Sequence, residues 1–201
     1  DGKGAGLLYS KKVTKGVIEF SARAKPGYPH APEIEEQEAL ILWANGTRDA
    51  AIEIAERVVK ARPQSFANQK IVGEYYAQRD PVKTVAAYEA YLAHRPSELE
   101  GGDVLPRIQL GFAYLSNARA VLGDGDESHA EQLYAKAVDQ FDYISRKLSK
   151  KPNAQVNADN GLCAAYTGLR KWDQAVTVCE RIVQNPKGVD TTGSVWFNLA
   201  T

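Results

Sequence analysis

The segment Val72-Gly73-Glu74-Tyr75-Tyr76 decides the fold, because its spacing returns along the chain. An aliphatic residue precedes a small one, and an aromatic residue follows three positions later. The same arrangement appears in Leu110-Gly111-x2-Tyr114 and in Leu162-Cys163-x2-Tyr166. A small residue at a fixed helix position lets a second helix approach closely, and the bulky residue one turn later fills the space beside it. The pattern therefore predicts stacked helical hairpins.

Prolines close the helical stretches at a nearly regular interval. They are Pro26, Pro63, Pro96, Pro152 and Pro186. Their separations are 37, 33, 56 and 34 residues, so three of the four gaps are of similar length. A fixed period of this size indicates an array of repeated supersecondary units. The predicted repeats are about 32–63, 64–96, 103–152 and 154–186, with the first helix of a further repeat at 191–201.

Local signals set the expected helix boundaries. Asn45-Gly46 separates the helices expected at about 33–44 and 48–61. Asp80 is expected to cap the free amides of a helix that begins with Pro81, where the missing N–H costs no hydrogen bond. In the third repeat the second helix is expected from Glu127 to about Leu148.

The chain resembles the tetratricopeptide repeat family, whose 34-residue units carry a W-x2-L-G-x2-Y pattern on the first helix and A-x3-F...P on the second. The matching first-helix segments are the three quoted above and Trp196-x2-Leu199-Ala200. The second helices match at Gly46-x4-Ala51, Trp172-x2-Ala175, Tyr88 and the closing prolines. Two residues depart from the pattern, since Glu38 stands where leucine is usual and Cys179 replaces an aromatic residue.

The resemblance implies an all-α fold, an α-solenoid in which helix-turn-helix repeats form a right-handed superhelix of about ten helices. Residues 27–201 are expected to form this solenoid. Residues 1–26 are expected to form an N-terminal helix, the second helix of an incomplete repeat.

The third hairpin is expected to be elongated. Gly111 and Pro152 are 41 residues apart, which is 17 more than the family's spacing between these two marks. At 1.5 Å per residue, the extra residues lengthen the hairpin by roughly 13 Å if they are divided between its two helices. The elongation predicts either a projection that docks a partner or a stretched unit that tunes the curvature of the array.

The two cysteines occupy facing positions in the hairpin that the resemblance implies. Cys163 stands at the small-residue position of a first helix, and Cys179 stands at the aromatic position opposite. A disulfide needs Cα atoms about 4.4 to 6.8 Å apart, which close packing there could provide. Disulfides persist in oxidising compartments, so a bond would favour an extracytoplasmic or periplasmic location. Two buried free thiols in a cytoplasmic protein are the alternative.

Composition excludes several classes of function. The 201 residues contain 25 basic and 25 acidic side chains, whereas nucleic-acid-binding proteins usually show a basic surplus. The longest apolar run, Ala39 to Ala44, has six residues, and a membrane-spanning helix needs about 20. We therefore expect neither a nucleic-acid partner nor a membrane span.

No catalytic, cofactor or metal site is predicted. The three histidines have neither histidine nor cysteine at the spacing of one helical turn, which disfavours zinc. Asp124-x-Asp126-x-Ser128 begins like a calcium loop, but His129 replaces the required glycine and Ala135 replaces the final glutamate. Asp126 or Ser128 is instead expected to cap a helix.

The predicted function is non-catalytic binding of a protein or peptide by a scaffold or adaptor, as a module or subunit of a larger assembly. Repeat arrays bind partners on the concave surface that their first helices line. The residues expected on that face are Glu36, Leu40, Trp43, Lys70, Glu74, Gln109, Phe112, Asn157 and Asn160. Trp43 and Phe112 are the expected apolar anchors, although Trp43 could instead pack against the helix before Pro26. The alternative function is a regulatory or targeting arm of an enzyme whose catalytic domain lies outside this chain.

Overall fold

A computed structural model describes residues 31–151 and 153–184, and this part of the chain is helical without strands. The α-helices are α1 (Pro32–Ala44), α2 (Arg48–Ala61), α3 (Phe66–Tyr76), α4 (Pro81–His94), α5 (Val104–Gly123), α6 (Glu127–Tyr143), α7 (Ala154–Gly168) and α8 (Trp172–Gln184). A 3-10 helix at Ser97–Gly102 precedes α5, and a π-helical turn at Ile144–Leu148 follows α6. The helices expected before Pro26 and at 191–201 lie outside the described residues, as does Pro152.

The described residues divide into two compact units. The first unit contains 31–79 and 86–95, and the second contains 80–85 and 96–184. In the first unit α1 packs on α2, and α2 on α3. In the second unit α5 packs on α6, α6 on α7, and α7 on α8. The predicted pairing of neighbouring helices is therefore confirmed within each unit.

Three of the hairpin turns share one backbone geometry. The helix ends with a residue in the left-handed region, and the next N–H donates to a carbonyl five residues earlier, as from Thr47 to Leu42 at 3.0 Å. Gly46 and Gly125 occupy the left-handed position in the first and third hairpins, with φ of 84° and 88°. Arg170 occupies it between α7 and α8 with φ of 55°. Glycine is the residue favoured at such a position, so Arg170 is an exception.

The predicted caps are present. The Asp80 carboxylate accepts a hydrogen bond from the Lys83 amide at 3.0 Å, and Asp126 accepts one from the His129 amide at 3.0 Å. Each bond satisfies an amide that the first helical turn leaves free. Asp126 is thus the cap that begins α6.

The third hairpin is the elongated one. Its helices α5 and α6 have 20 and 17 residues, whereas α3 and α4 have 11 and 14. The sequence predicted one continuous second helix to Leu148. The α-helix instead ends at Tyr143, and the backbone continues as the π-helical turn.

The core of the first unit comes from one face of each helix. Ala51, Ile52, Ala55 and Val58 of α2 are buried at helical spacing. They pack in a cluster with Ala39 of α1 and with residues of α3 and α4. Gly73 of α3 lies against the fully buried ring of Tyr88, and a Cβ added there would be 2.7 Å from a ring carbon. The expected close approach at the small residue is confirmed.

Phe141 makes the corresponding contact in the second unit. Its ring is fully buried between Gly111 of α5 and Gly161 of α7, and a Cβ added at either glycine would overlap it. One side chain of α6 therefore sets the distance of α6 from both neighbouring first helices.

A cysteine pair takes the same place in the last hairpin. The sulfur atoms of Cys163 and Cys179 lie at bonding distance, their Cα atoms are 5.2 Å apart, and both residues are fully buried. The predicted pairing is confirmed at this level, and no free cysteine occurs among the described residues. A covalent link thus replaces the contact between an aromatic ring and a glycine.

Each first helix also carries a buried or largely buried polar side chain four residues before its small residue. The family pattern places tryptophan there, but this chain has Glu35, Gln69, Arg107 and Asp159. Arg57 donates to Glu35 at 2.9 Å, and Arg181 donates to Asp159 at 2.6 Å. Gln69 donates to the carbonyl of Pro63 at 3.0 Å, and Arg107 donates to Gln140 at 2.8 Å. Because buried polar groups need partners, each position ties its first helix to a neighbouring element.

No helix in the described part of the chain combines the length and the apolar character that a membrane crossing requires.

Candidate functional site

Three of the residues predicted on the binding face come together in the first unit. The indole N–H of Trp43 on α1 donates to Oε2 of Glu74 on α3 at 3.1 Å. Oε1 of Glu74 is 3.8 Å from Nζ of Lys70, one turn earlier on α3. Side chains from two successive first helices therefore form one cluster, which we call the Trp43 cluster.

Arg48 completes the Trp43 cluster and was not predicted. Its guanidinium carbon lies 3.7 Å from the centre of the Trp43 ring. This cation–π contact covers one face of the half-buried indole, and the Glu74 carboxylate holds its polar edge. The signal available in sequence was weak, since Arg48 only follows Trp43 across the Asn45-Gly46 turn. The alternative packing of Trp43 against the helix before Pro26 lies outside the described residues.

A second aromatic contact lies beside the Trp43 cluster on α3. The Tyr75 hydroxyl donates to Asp49 at 3.1 Å, and the Arg79 guanidinium lies 4.4 Å from the centre of the Tyr75 ring. The hydrogen bond to Asp49 is the main cause that raises the pKa of Tyr75 above its ordinary value of 10.0. The phenol is therefore a neutral hydrogen-bond donor at physiological pH.

Glu36 and Leu40 belong to the interior of the first unit more than to its surface. Glu36 accepts a hydrogen bond from the Ser65 hydroxyl at 2.7 Å and forms an ion pair with Arg62 at 3.1 Å. Leu40 is half-buried and packs against the core cluster. The Glu36 carboxylate is engaged in joining α1 to the turn before α3, which is a structural role.

Phe112 is the exposed apolar residue that the prediction needs in the second unit. It is 39% exposed, and its ring packs edge-on against Phe141 with the ring centres 5.1 Å apart. Gln109 lies almost one turn earlier on α5 and is half-buried. The Phe141 ring thus holds the Phe112 ring in place, so a ligand that contacted Phe112 would not need to order it.

The two asparagines on α7 differ in their surroundings. Nδ2 of Asn157 donates to the carbonyl of Asn153 at 2.8 Å, and the residue remains partly exposed. Oδ1 of Asn160 is buried and accepts no hydrogen bond from the described residues. Asn160 is adjacent to Gly161, where α7 meets the Phe141 ring. The hydrogen bond of Asn157 is thus exposed, whereas the amide oxygen of Asn160 is buried.

The described residues contain no group of three or more His, Cys, Asp or Glu side chains placed to hold a metal ion. The clusters above consist of hydrogen bonds, ion pairs and aromatic contacts. Such groups suit recognition of another macromolecule, because they offer donors, acceptors and apolar surface together.

No protein-family model matches this chain, and a search of curated proteins finds no significant sequence match. The likeness to tetratricopeptide repeats therefore rests on the residues quoted above.

Proposed function

We propose that this protein is a non-catalytic scaffold that binds a protein or peptide through the outer surface of its first helices. The proposal includes the tetratricopeptide-like arrangement, in which the hairpins stack as a right-handed solenoid and the first helices line its concave face. It takes no cofactor and no nucleic acid as ligand.

One observation carries the proposal. Within each unit the first helices touch each other as well as their own hairpin partners, since α1 contacts α3 and α5 contacts α7. Side chains on successive first helices are therefore close enough to contact one ligand together. Trp43 and Glu74, which lie on α1 and α3, already contact each other. A surface shared between adjacent helices is what an extended peptide requires.

The expected anchors are Trp43 in the first unit and Phe112 in the second. Both are aromatic, both are held by neighbouring side chains, and both retain accessible surface. Lys70 and Glu74 beside Trp43, and Gln109 and Asn157 in the second unit, supply polar groups for a peptide backbone.

We also propose that the protein works in an oxidising compartment outside the cytoplasm. The support is the buried pair of Cys163 and Cys179, whose Cα separation of 5.2 Å falls within the range that a disulfide requires. Mass spectrometry of the protein taken directly from its source under acid quench tests this, since a mass with both thiols free would contradict it.

Cross-linking mass spectrometry of the native protein in its source tests the binding surface. We expect cross-links to partners to concentrate on α1, α3, α5 and α7. Against a partner identified in this way, Trp43→Ala and Phe112→Ala should each weaken binding at least tenfold, or about 1.4 kcal/mol.

Trp172→Ala is the matched control for the two anchor substitutions. Trp172 is also aromatic and 49% exposed, but it belongs to a second helix. Its loss should leave the affinity unchanged. If Trp172→Ala weakens binding while both anchor variants bind normally, the binding surface lies on the second helices and the proposal is wrong.

A further inference from the structure

A cavity of about 230 Å³ lies in the second unit where the first turns of α6 meet the end of α7. The elongated third hairpin supplies most of the residues that line it. Gly168, the last residue of α7, lies against the ring of Tyr134, and a Cβ added at Gly168 would overlap that ring. Glycine at this position therefore lets the end of α7 approach α6 and gives the cavity its aromatic side.

Part of the cavity lining is apolar, and the rest is polar. Ala130 and Tyr134 of α6 line it and are almost completely buried, at 1% and 5% exposed. Leu122 at the end of α5 and Leu169 after α7 complete the apolar lining. Leu122 and Leu169 are the accessible part of this lining, and an aliphatic chain that lies along them is removed from water.

The rim of the cavity is charged, with an excess of negative charge. Glu127 and Glu131 lie one turn apart on α6, and Arg170 approaches Glu127 at 4.0 Å. Arg170 thus offsets one carboxylate. Glu131 takes part in no ion pair within the described ranges 31–151 and 153–184, so one negative charge at the rim is left uncompensated.

The backbone conformation of Arg170 supports a ligand-binding role for this rim. It adopts the left-handed conformation that Gly46 and Gly125 adopt in the equivalent turns. A side chain at such a position costs conformational energy, and outliers of this kind are found at ligand sites. Here the unfavourable residue is the one whose guanidinium lies at the mouth of the cavity.

We propose that this cavity binds a lysine or arginine side chain from a basic segment of a protein partner. The aliphatic stem lies along Leu122 and Leu169, and the cationic group pairs with Glu131. The net negative rim disfavours anionic ligands, and the Arg170 guanidinium near Glu127 disfavours a metal ion. The site is separate from the first-helix surface and does not depend on the function proposed above.

Amide NMR shifts of the full chain provide the test, with three short peptides as probes. These are acetyl-Gly-Lys-Gly-amide, its norleucine analogue with a similar stem and no charge, and its glutamate analogue. We expect the lysine peptide to shift the amides of 127–134 and 168–170 in a concentration-dependent manner. The norleucine peptide should produce smaller shifts, and the glutamate peptide none. Added salt should weaken the lysine response, because the rim is exposed to solvent.

Glu131→Gln should reduce the lysine response at least to that of norleucine without affecting the fold. Glu180→Gln is the control, since Glu180 is an exposed carboxylate on α8 that does not line the cavity. Equal shifts from the lysine and norleucine peptides would show that no cation is recognised and would overturn the proposal. Shifts spread over the whole protein, or a lysine response that survives Glu131→Gln, would also overturn it. None of these results would bear on the anchors Trp43 and Phe112.

Discussion

The Phe141 ring provides a sharp test of how the hairpins are packed. Substituting Gly111→Ala adds a methyl group 2.5, 2.8 and 2.9 Å from three ring carbons. The nearest distance is about 0.9 Å short of ordinary van der Waals contact, which begins at 3.4 Å. The ring cannot slide away toward α7, because Gly161 already touches it from that side. Overpacking of a core typically costs about 1 to 3 kcal/mol, and we expect the upper part of that range.

A gain in helix propensity partly offsets this cost. Alanine is better than glycine in a helix interior by about 1 kcal/mol. The net effect of Gly111→Ala should therefore be a loss of about 2 kcal/mol in the free energy of unfolding. Urea denaturation followed by helical circular dichroism measures this loss as a lower transition midpoint.

Gly123→Ala is the matched control, because Gly123 also lies in α5 but a Cβ there would meet nothing within 4 Å. It should be neutral or stabilise the protein by up to about 1 kcal/mol. A double-mutant cycle with Phe141→Leu adds a second check, since removing the ring should reduce the cost of Gly111→Ala. If the Phe141 ring does not limit the approach of α5, Gly111→Ala will be as stable as Gly123→Ala, or its cost will be the same in the Phe141→Leu background.

Three further predictions concern the cysteine link, a buried ion pair and a buried phenol. Cys179→Ser should lower the free energy of unfolding by about 3 kcal/mol, since the link closes a 16-residue separation, and reductant should then have no further effect on the urea midpoint. Arg181→Leu should cost about 1 to 2 kcal/mol because it removes the cation from a carboxylate that is 7% exposed and leaves it the hydrogen bond from Gln155. Arg146→Leu breaks a pair of equal length between exposed groups and should cost less than about 0.5 kcal/mol, so equal losses in the two variants would contradict the burial argument. Burial raises the pKa of Tyr88 above 10.0, because the folded protein favours the neutral phenol. The stability that the buried neutral phenol contributes is complete below about pH 10 and is lost at higher pH. Tyr88→Phe should flatten the decline of the urea midpoint above pH 10, and an unchanged decline would show that Tyr88 does not cause it.

The helices and their order could be predicted because their signals are local. Asn45-Gly46 gives a turn, Asp80 and Pro81 begin a helix, and apolar residues at helical spacing define the buried faces. These choices depend on residues that are near one another in the chain, and the structure agrees with them. The cysteine pair could be predicted only through the register that the family likeness implies.

The features that sequence reasoning missed depend on contacts between distant residues. Arg170 adopts a left-handed backbone conformation that arginine disfavours, so its residue type did not predict the turn that it forms. Asp159 sits where the repeat pattern has tryptophan, and its burial depends on Arg181, 22 residues later. Phe141 touches glycines on two different helices, which no single repeat reveals.

The sequence indicates only part of the geometry around the residues expected on the binding face. Trp43, Lys70 and Glu74 do come together, because the small-residue register places α1 beside α3. Glu36 was expected to face a ligand but is engaged with Ser65 and Arg62. Both partners lie in the turn between α2 and α3, whereas the repeat pattern describes only positions on the helices.

The link between Cys163 and Cys179 also determines how the last hairpin would respond to tension. A pull applied beyond residue 184 passes through the sulfur atoms from one helix to the other, and the stretch 164–178 between the two cysteines is bypassed. The turn at Arg170 then carries no load, and these two helices cannot be peeled apart until the bond is reduced.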